Sequence, residues 1–168
     1  YYFFFFFFFC VMYNILFVCY GNICRSPMAE MIFKDIIYKN NKRYMFSCVS
    51  RATSVEELGN DIYPSAKSKL LDKGITCESH KAIQIKKEDY KIYDYIIVME
   101  ERNKRDVIRI MGPDIEDKVH LLLEYTDNLK DIDDPWYTGD FDTAFDEIYK
   151  GCVGLYNYLL NKEVDDEI

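Results

Sequence analysis

The chain has 168 residues, 49% of them hydrophobic, with 29 acidic against 21 basic side chains and a net charge of −8. That length fits one domain with a sizeable core, and the acidity disfavours nucleic acid and anionic membrane as partners. Six cysteines (10, 19, 24, 48, 77 and 152) show neither metal-ligand spacing nor a disulfide framework, and with no secretory signal they fit free thiols in a reducing, cytoplasmic setting. Residues 1–11, dominated by the run Phe3–Phe9, lack the basic start and small-residue cleavage site of a signal peptide. They are also too short to cross a bilayer, which takes ~20 apolar residues. The expectation is an atypical apolar leader over 1–11 outside the fold, a domain over 12–162 and an acidic tail over 163–168.

Asn14–Cys19 is a short apolar run suited to a central parallel strand. In the loop that follows, Tyr20-Gly-Asn-Ile-Cys-Arg25, Gly21 and Asn22 tolerate positive φ. Ser26 reads as an N-cap and Pro27 as the first residue of a helix ending near Asn40 and Asn41. Tyr44–Arg51 reads as a second strand, Thr53–Pro64 as a polar loop and Tyr63–Lys73 as a helix closed by Gly74. Tyr95–Met99 is a third strand, Glu101–Met111 a helix and Val119–Leu123 a fourth strand. The last helix, about Phe141–Leu160, sets Phe141, Phe145, Ile148, Cys152, Leu155 and Leu159 on one stripe. Gly151 and Gly154 weaken it by ~1 kcal/mol each unless close packing requires them. The alternation predicts an α/β fold: three layers, α/β/α, around a four-stranded parallel sheet, with a phosphate loop between the first strand and first helix.

That loop carries the chemistry. Backbone N–H groups and the positive helix end converge on one anion. The same dipoles, with Arg25, favour a thiolate at Cys19, and the guanidinium fork grips two oxygens of a phosphate. A nucleophilic sulfur beneath such a cradle suits phosphoryl transfer through a cysteinyl-phosphate, with no metal and no cofactor. A phenolate leaves badly and calls for a positioned acid. Asp131-Ile-Asp-Asp-Pro-Trp-Tyr137 supplies carboxylates on a stiff loop, because Pro135 fixes its own φ and holds Asp134 extended.

Val18-Cys-Tyr-Gly-Asn-Ile-Cys-Arg-Ser-Pro-Met-Ala-Glu30 resembles the phosphate loop of the low-molecular-weight protein tyrosine phosphatases, and the likeness runs from about Met12 to the last helix. The resemblance implies a phosphotyrosine protein as substrate and Asp134, immediately before proline, as general acid and base. It implies contacts to the phosphate from Tyr20, Gly21, Asn22, Ile23, Cys24 and Ser26, and an aromatic wall from Trp136 and Tyr137. It further implies a network joining Asn22 to Ser50 and His80, a redox role for Cys24 as partner of Cys19, Thr53–Pro64 as a rim of the cleft, and a monomer or weak homodimer. Two departures stand out. Glu56 lies near a place where relatives carry an aromatic residue, and Glu100 replaces Asp in a Met-Asp-x-x-Asn pattern. Cys48, Cys77 and Cys152 read as core residues, and His120 as structural.

Three rival readings keep the fold. A thiol-coupled arsenate reductase needs two further cysteines close together downstream, and only Cys77 lies in that region. A protein-arginine phosphatase is favoured by Thr in the loop, where this chain has Ile23. A non-catalytic phosphate-binding module is signalled by loss of the cysteine, the arginine or the acid, and all three are present.

Overall fold

The computed structural model describes residues 12–166; the expected leader and the last two residues lie outside them. Strands β1 (Tyr13–Cys19), β2 (Phe46–Ala52), β3 (Tyr95–Val98) and β4 (Val119–Leu121) form one parallel sheet in the order β2-β1-β3-β4. Around it lie α1 (Arg25–Lys39), α2 (Pro64–Asp72), α3 (Asp89–Ile92), α4 (Glu101–Met111), α5 (Pro135–Thr138) and α6 (Phe141–Asp166). Successive side chains of a strand point to opposite faces, and β1 is apolar at nearly every position, so both of its faces are buried. Ile15 and Phe17 join α1, α2 and α6 in the larger core, where Phe33, Leu70, Ile148 and Leu155 meet them. Leu16 and Val18 join Ile96, Val98, Val107 and Met111 in a smaller core beneath α4. This is the expected three-layer α/β/α arrangement.

From β1 the chain passes to β2 on one side and later to β3 on the other. The C-terminal end of β1 is therefore the point where strand order reverses, and open parallel sheets bind ligands in that crevice. Cys19 ends β1 there. Among the described residues no helix is long and apolar enough to cross a membrane.

Several boundaries differ from the expectations. Helix α1 starts at Arg25, with Cys24 at its N-cap position and no side-chain cap, so Ser26 and Pro27 are the second and third helical residues. The Ser26 hydroxyl cannot cap because it is engaged with Cys19 and Asn22. Pro27 fits because first-turn amides have no partner within the helix. Of the two residues expected to tolerate positive φ, Asn22 uses it, at 58°, and Gly21 does not. Strand β4 stops at Leu121, where Leu122–Tyr125 turn into a 3₁₀ helix that seats Leu122 and Leu123 in the core. Helix α6 runs past Leu160 to Asp166, taking in the start of the acidic segment. The four-residue helices α3 and α5 were not predicted.

Candidate active site

The loop from Tyr20 to Cys24 is held by the segment between β2 and α2. The amides of Thr53 and Ser54 donate to the carbonyls of Cys19 and Tyr20 at 2.9 and 3.0 Å, and that of Tyr63 to Ile23 at 2.8 Å. Asn22 is the keystone. Fully buried and left-handed, it gives its side-chain amide to the hydroxyls of Ser26 and Ser50, each at 2.9 Å, while its own carboxamide oxygen accepts from the Ile83 amide at 3.2 Å. His80 Nε2 lies 2.7 Å from the Asn22 carbonyl. The structure thus brings together Asn22, Ser50 and His80 as the resemblance implied. The main-chain N–H groups of Gly21, Ile23 and Cys24 have no acceptor among the described residues.

Gly21, Ile23 and Cys24 line the same small cavity as Cys19. Cys19 Sγ lies 3.0 Å from Ser26 Oγ and accepts from the Asn22 amide at 3.3 Å. Arg25 is 1% exposed. Its Nη1 donates to Glu100 Oε2 at 2.6 Å and to the Ile132 carbonyl at 2.8 Å, and its Nη2 to Asp134 Oδ2 at 3.0 Å. Its Nε, also buried, has no partner among the described residues, so Nε–H and the second Nη2 N–H remain for a ligand. Burial works against this charge, but the fields of Cys19, Asp134 and Glu100 outweigh it and hold the guanidinium above its usual pKa.

Asp134 sits at extended φ and ψ before Pro135, as that proline requires, and its Oδ1 caps α5 by accepting the Trp136 amide at 3.1 Å. Its loop is pinned twice, by the Ile132 amide on the Met99 carbonyl at 2.9 Å and by the Glu101 amide on Asp131 Oδ1 at 2.9 Å. A small cavity of about 80 Å³ collects Cys19, Tyr20, Gly21, Ile23, Cys24, Asp134, Trp136 and Tyr137, together with Glu56 and Glu57. Asp133 lines the neighbouring groove instead.

A strand-loop-helix cradle thus holds a cysteine at its base, beside a buried arginine and a facing Asp-Pro loop. The model for the low molecular weight phosphotyrosine protein phosphatases matches residues 14–166. The chain belongs to this family. A low molecular weight phosphotyrosine protein phosphatase from Sus scrofa is 40% identical over 154 residues, covering 89% of this chain and 94% of that one. The crystal structure of YfkJ from Bacillus subtilis is similar with a TM-score of 0.87 at 33% identity, covering 90% and 96% of the two chains. That of a drosophila arginine phosphatase is similar with a TM-score of 0.77 at 26% identity, covering 86% and 96%.

Within this phosphotyrosine protein phosphatase family member, two cysteines share the loop. Burial pushes the Cys24 thiol up, the charges of Cys19 and Asp134 push it further, and Arg25 opposes them only in part. Cys24 therefore stays a thiol. Cys48 and Cys152 lie in the core, donating to the carbonyls of Glu30 and Ala29. Cys77, expected in the core, is only half-buried at its edge. His120 bonds the Asp117 carbonyl and Glu124, a structural role within β4.

Sequence reasoning missed three contributors. Glu100 was noted only as a departure from a pattern, yet it is one of the two ion-pair partners of Arg25 among the described residues. Asn103, fully buried, accepts from the amides of Met99 and Glu100 and so fixes Glu100 as the N-cap of α4. Phe141, assigned to the stripe of α6, also packs against Ile23 and Cys24 and stacks on Tyr63 at 5.9 Å. The i to i+3 spacing of Glu100 and Asn103 was a legible capping signal. The reach of Arg25 to Glu100 was not, because 75 residues separate them.

Proposed function

We propose that this chain hydrolyses phosphotyrosine and aryl phosphates through a cysteinyl-phosphate on Cys19. The observation that carries the reading is the buried Arg25 beside Cys19, its Nε free, under a loop with unpaired amides. Cys19 Sγ attacks phosphorus as the P–O bond to the aryl group breaks. Loop amides and Arg25 take up charge on the three equatorial oxygens. Asp134 gives its proton to the departing oxygen, then as carboxylate draws a proton from the water that attacks phosphorus, and the P–S bond breaks. Ser26 Oγ, within hydrogen-bond reach of Sγ, stabilises the sulfur as it leaves.

Arg25 engages phosphate through Nε and the second N–H of Nη2, while Glu100 and Ile132 keep Nη1 in place. Trp136 and Tyr137, packed edge to face at 4.9 Å, flank the entering ring. Ile23 supports an aryl ester over a phosphoguanidine. Cys24, a thiol beside the nucleophile, serves as its reversible disulfide partner and spares it further oxidation. We assign the protein to the cytoplasm, acting as a monomer or weak homodimer.

The test is turnover of para-nitrophenyl phosphate, a phosphotyrosyl peptide and a phosphoarginyl peptide by wild type and Cys19→Ser. The reading expects the first two substrates to be cleaved by wild type alone. Activity surviving in Cys19→Ser would remove the covalent route, and preference for phosphoarginine would move the enzyme to that substrate class.

A further inference from the structure

We propose that Glu56 and Glu57 form an acidic rim that selects phosphotyrosine sites flanked by a basic residue. This rests on the phosphatase reading above. Both side chains line the cavity that holds Cys19 and Asp134. Both are placed rather than free: Glu56 Oε1 accepts the Tyr20 hydroxyl at 2.8 Å, and Glu57 Oε2 accepts the Asn60 side-chain amide at 2.6 Å. The Glu57 stem also lies against Gly21 of the phosphate loop. Their hydrogen-bond partners carry no charge, and neither carboxylate is ion-paired among the described residues. The Glu56 carboxylate holds the Tyr20 hydroxyl protonated above its usual range, so this contact persists at working pH.

The phosphate site cannot offset these charges. Arg25 already faces Glu100 and Asp134. Arg102, the other cation that lines this cavity or the adjoining groove among the described residues, lies over the Tyr20 ring at 5.0 Å and shares the groove with Asp133. Tyr20 thus divides the mouth, with two uncompensated carboxylates on one side and Arg102 on the other. A dianionic ester approaching that mouth is repelled unless its chain brings a cation to Glu56 and Glu57. A substrate Lys or Arg supplies it, on one side of the phosphotyrosine only. Exposed charge pairs contribute little each, so the selection is graded: about tenfold in kcat/KM between basic and acidic neighbours at low salt, combining both carboxylates. It shrinks as salt rises.

The experiment measures kcat/KM on phosphotyrosyl peptides with Arg, Ala or Glu on either side, at low and high salt. Wild type should rank Arg over Ala over Glu on one side. The double variant Glu56→Gln with Glu57→Gln keeps the hydrogen-bond acceptors and should collapse the spread to about twofold or less, while kcat/KM on para-nitrophenyl phosphate rises. Glu56→Asp with Glu57→Asp, which retains charge, should keep the ranking. A flat wild-type profile, or a spread that survives the Gln variant, overturns the inference. If wild type does not cleave para-nitrophenyl phosphate at all, it is the phosphatase reading that fails instead.

Discussion

Arginine is rarely fully buried unless paired, and Arg25 shows what pairing takes: a carboxylate on one nitrogen, a carbonyl beside it and a second carboxylate on the other. Breaking one partner of such a buried group costs several kcal/mol. Glu100→Gln keeps size and one acceptor but loses charge, so we expect kcat/KM on aryl phosphates to fall about tenfold with the fold intact, while Glu100→Ala should also lower the unfolding free energy by about 2 kcal/mol or more. Kinetics beside denaturant melts check both. For Asp134→Ala the expected loss is about 10²–10⁴ in kcat on phenyl phosphate, and much less on esters whose leaving group needs no proton. Equal losses across leaving groups would remove Asp134 from the acid role. Cys19, Arg25 and Asp134 stand out in the sequence because each sits in a short motif. The hold on Asn22 is spread over Ser26, Ser50, His80 and Ile83, and only the fold assembles it.

The elements that were easy to read are those whose own pattern dictates burial. Strand β1 is apolar on both faces, and α6 buries Phe145, Ile148, Cys152, Leu155 and Leu159 as its spacing requires. The two glycines of α6 are explained by contact: a Cβ on Gly151 would meet Leu122 Cγ, and one on Gly154 would meet the Tyr125 carbonyl, both in the 3₁₀ turn. Gly154→Ala gains ~1 kcal/mol of helix propensity yet should destabilise overall by about 2 kcal/mol, because the backbone it strikes cannot move aside. Gly151→Ala, striking a side chain, should cost less. The turn into β4 depends on Asp114, which accepts from the Tyr90 hydroxyl and from the amides of Lys118 and Val119 at 2.7, 2.8 and 3.0 Å. Partial burial opposes its charge, but these bonds prevail and its pKa is lowered. A lowered folded pKa stabilises above the unfolded value near ~3.9 and loses that contribution as pH falls through the folded one. Asp114→Asn should therefore cost about 1 kcal/mol at pH 7, with the gap to wild type closing in melts below about pH 4. Helix α5 escaped reading because four residues carry no periodicity, although Asp134 before Pro135, with Gly139 beyond, marks both its ends.

At the scale of the molecule, strand order β2-β1-β3-β4 brings one loop end from each part of the chain to the same crevice: the phosphate loop from β1, the Glu56 rim after β2, Glu100 after β3 and the Asp134 loop after β4. The alternation of strand and helix made the layers legible, but not the strand order that joins these loops. Because the crevice exists only in the folded chain, an anion bound there stabilises the whole. Inorganic phosphate at a hundred times its Kd should add about 2.7 kcal/mol to unfolding, and Arg25→Lys should forfeit most of that gain in thermal melts. The covalent step is tested most directly by mixing enzyme with phosphorus-labelled aryl phosphate, quenching within one turnover and mapping the label. A phosphorylated Cys19, formed as the phenol bursts and enriched in Asp134→Ala when the leaving group needs no proton, is the predicted result. Label on Cys24, or a burst with no phosphorylated sulfur, would contradict it.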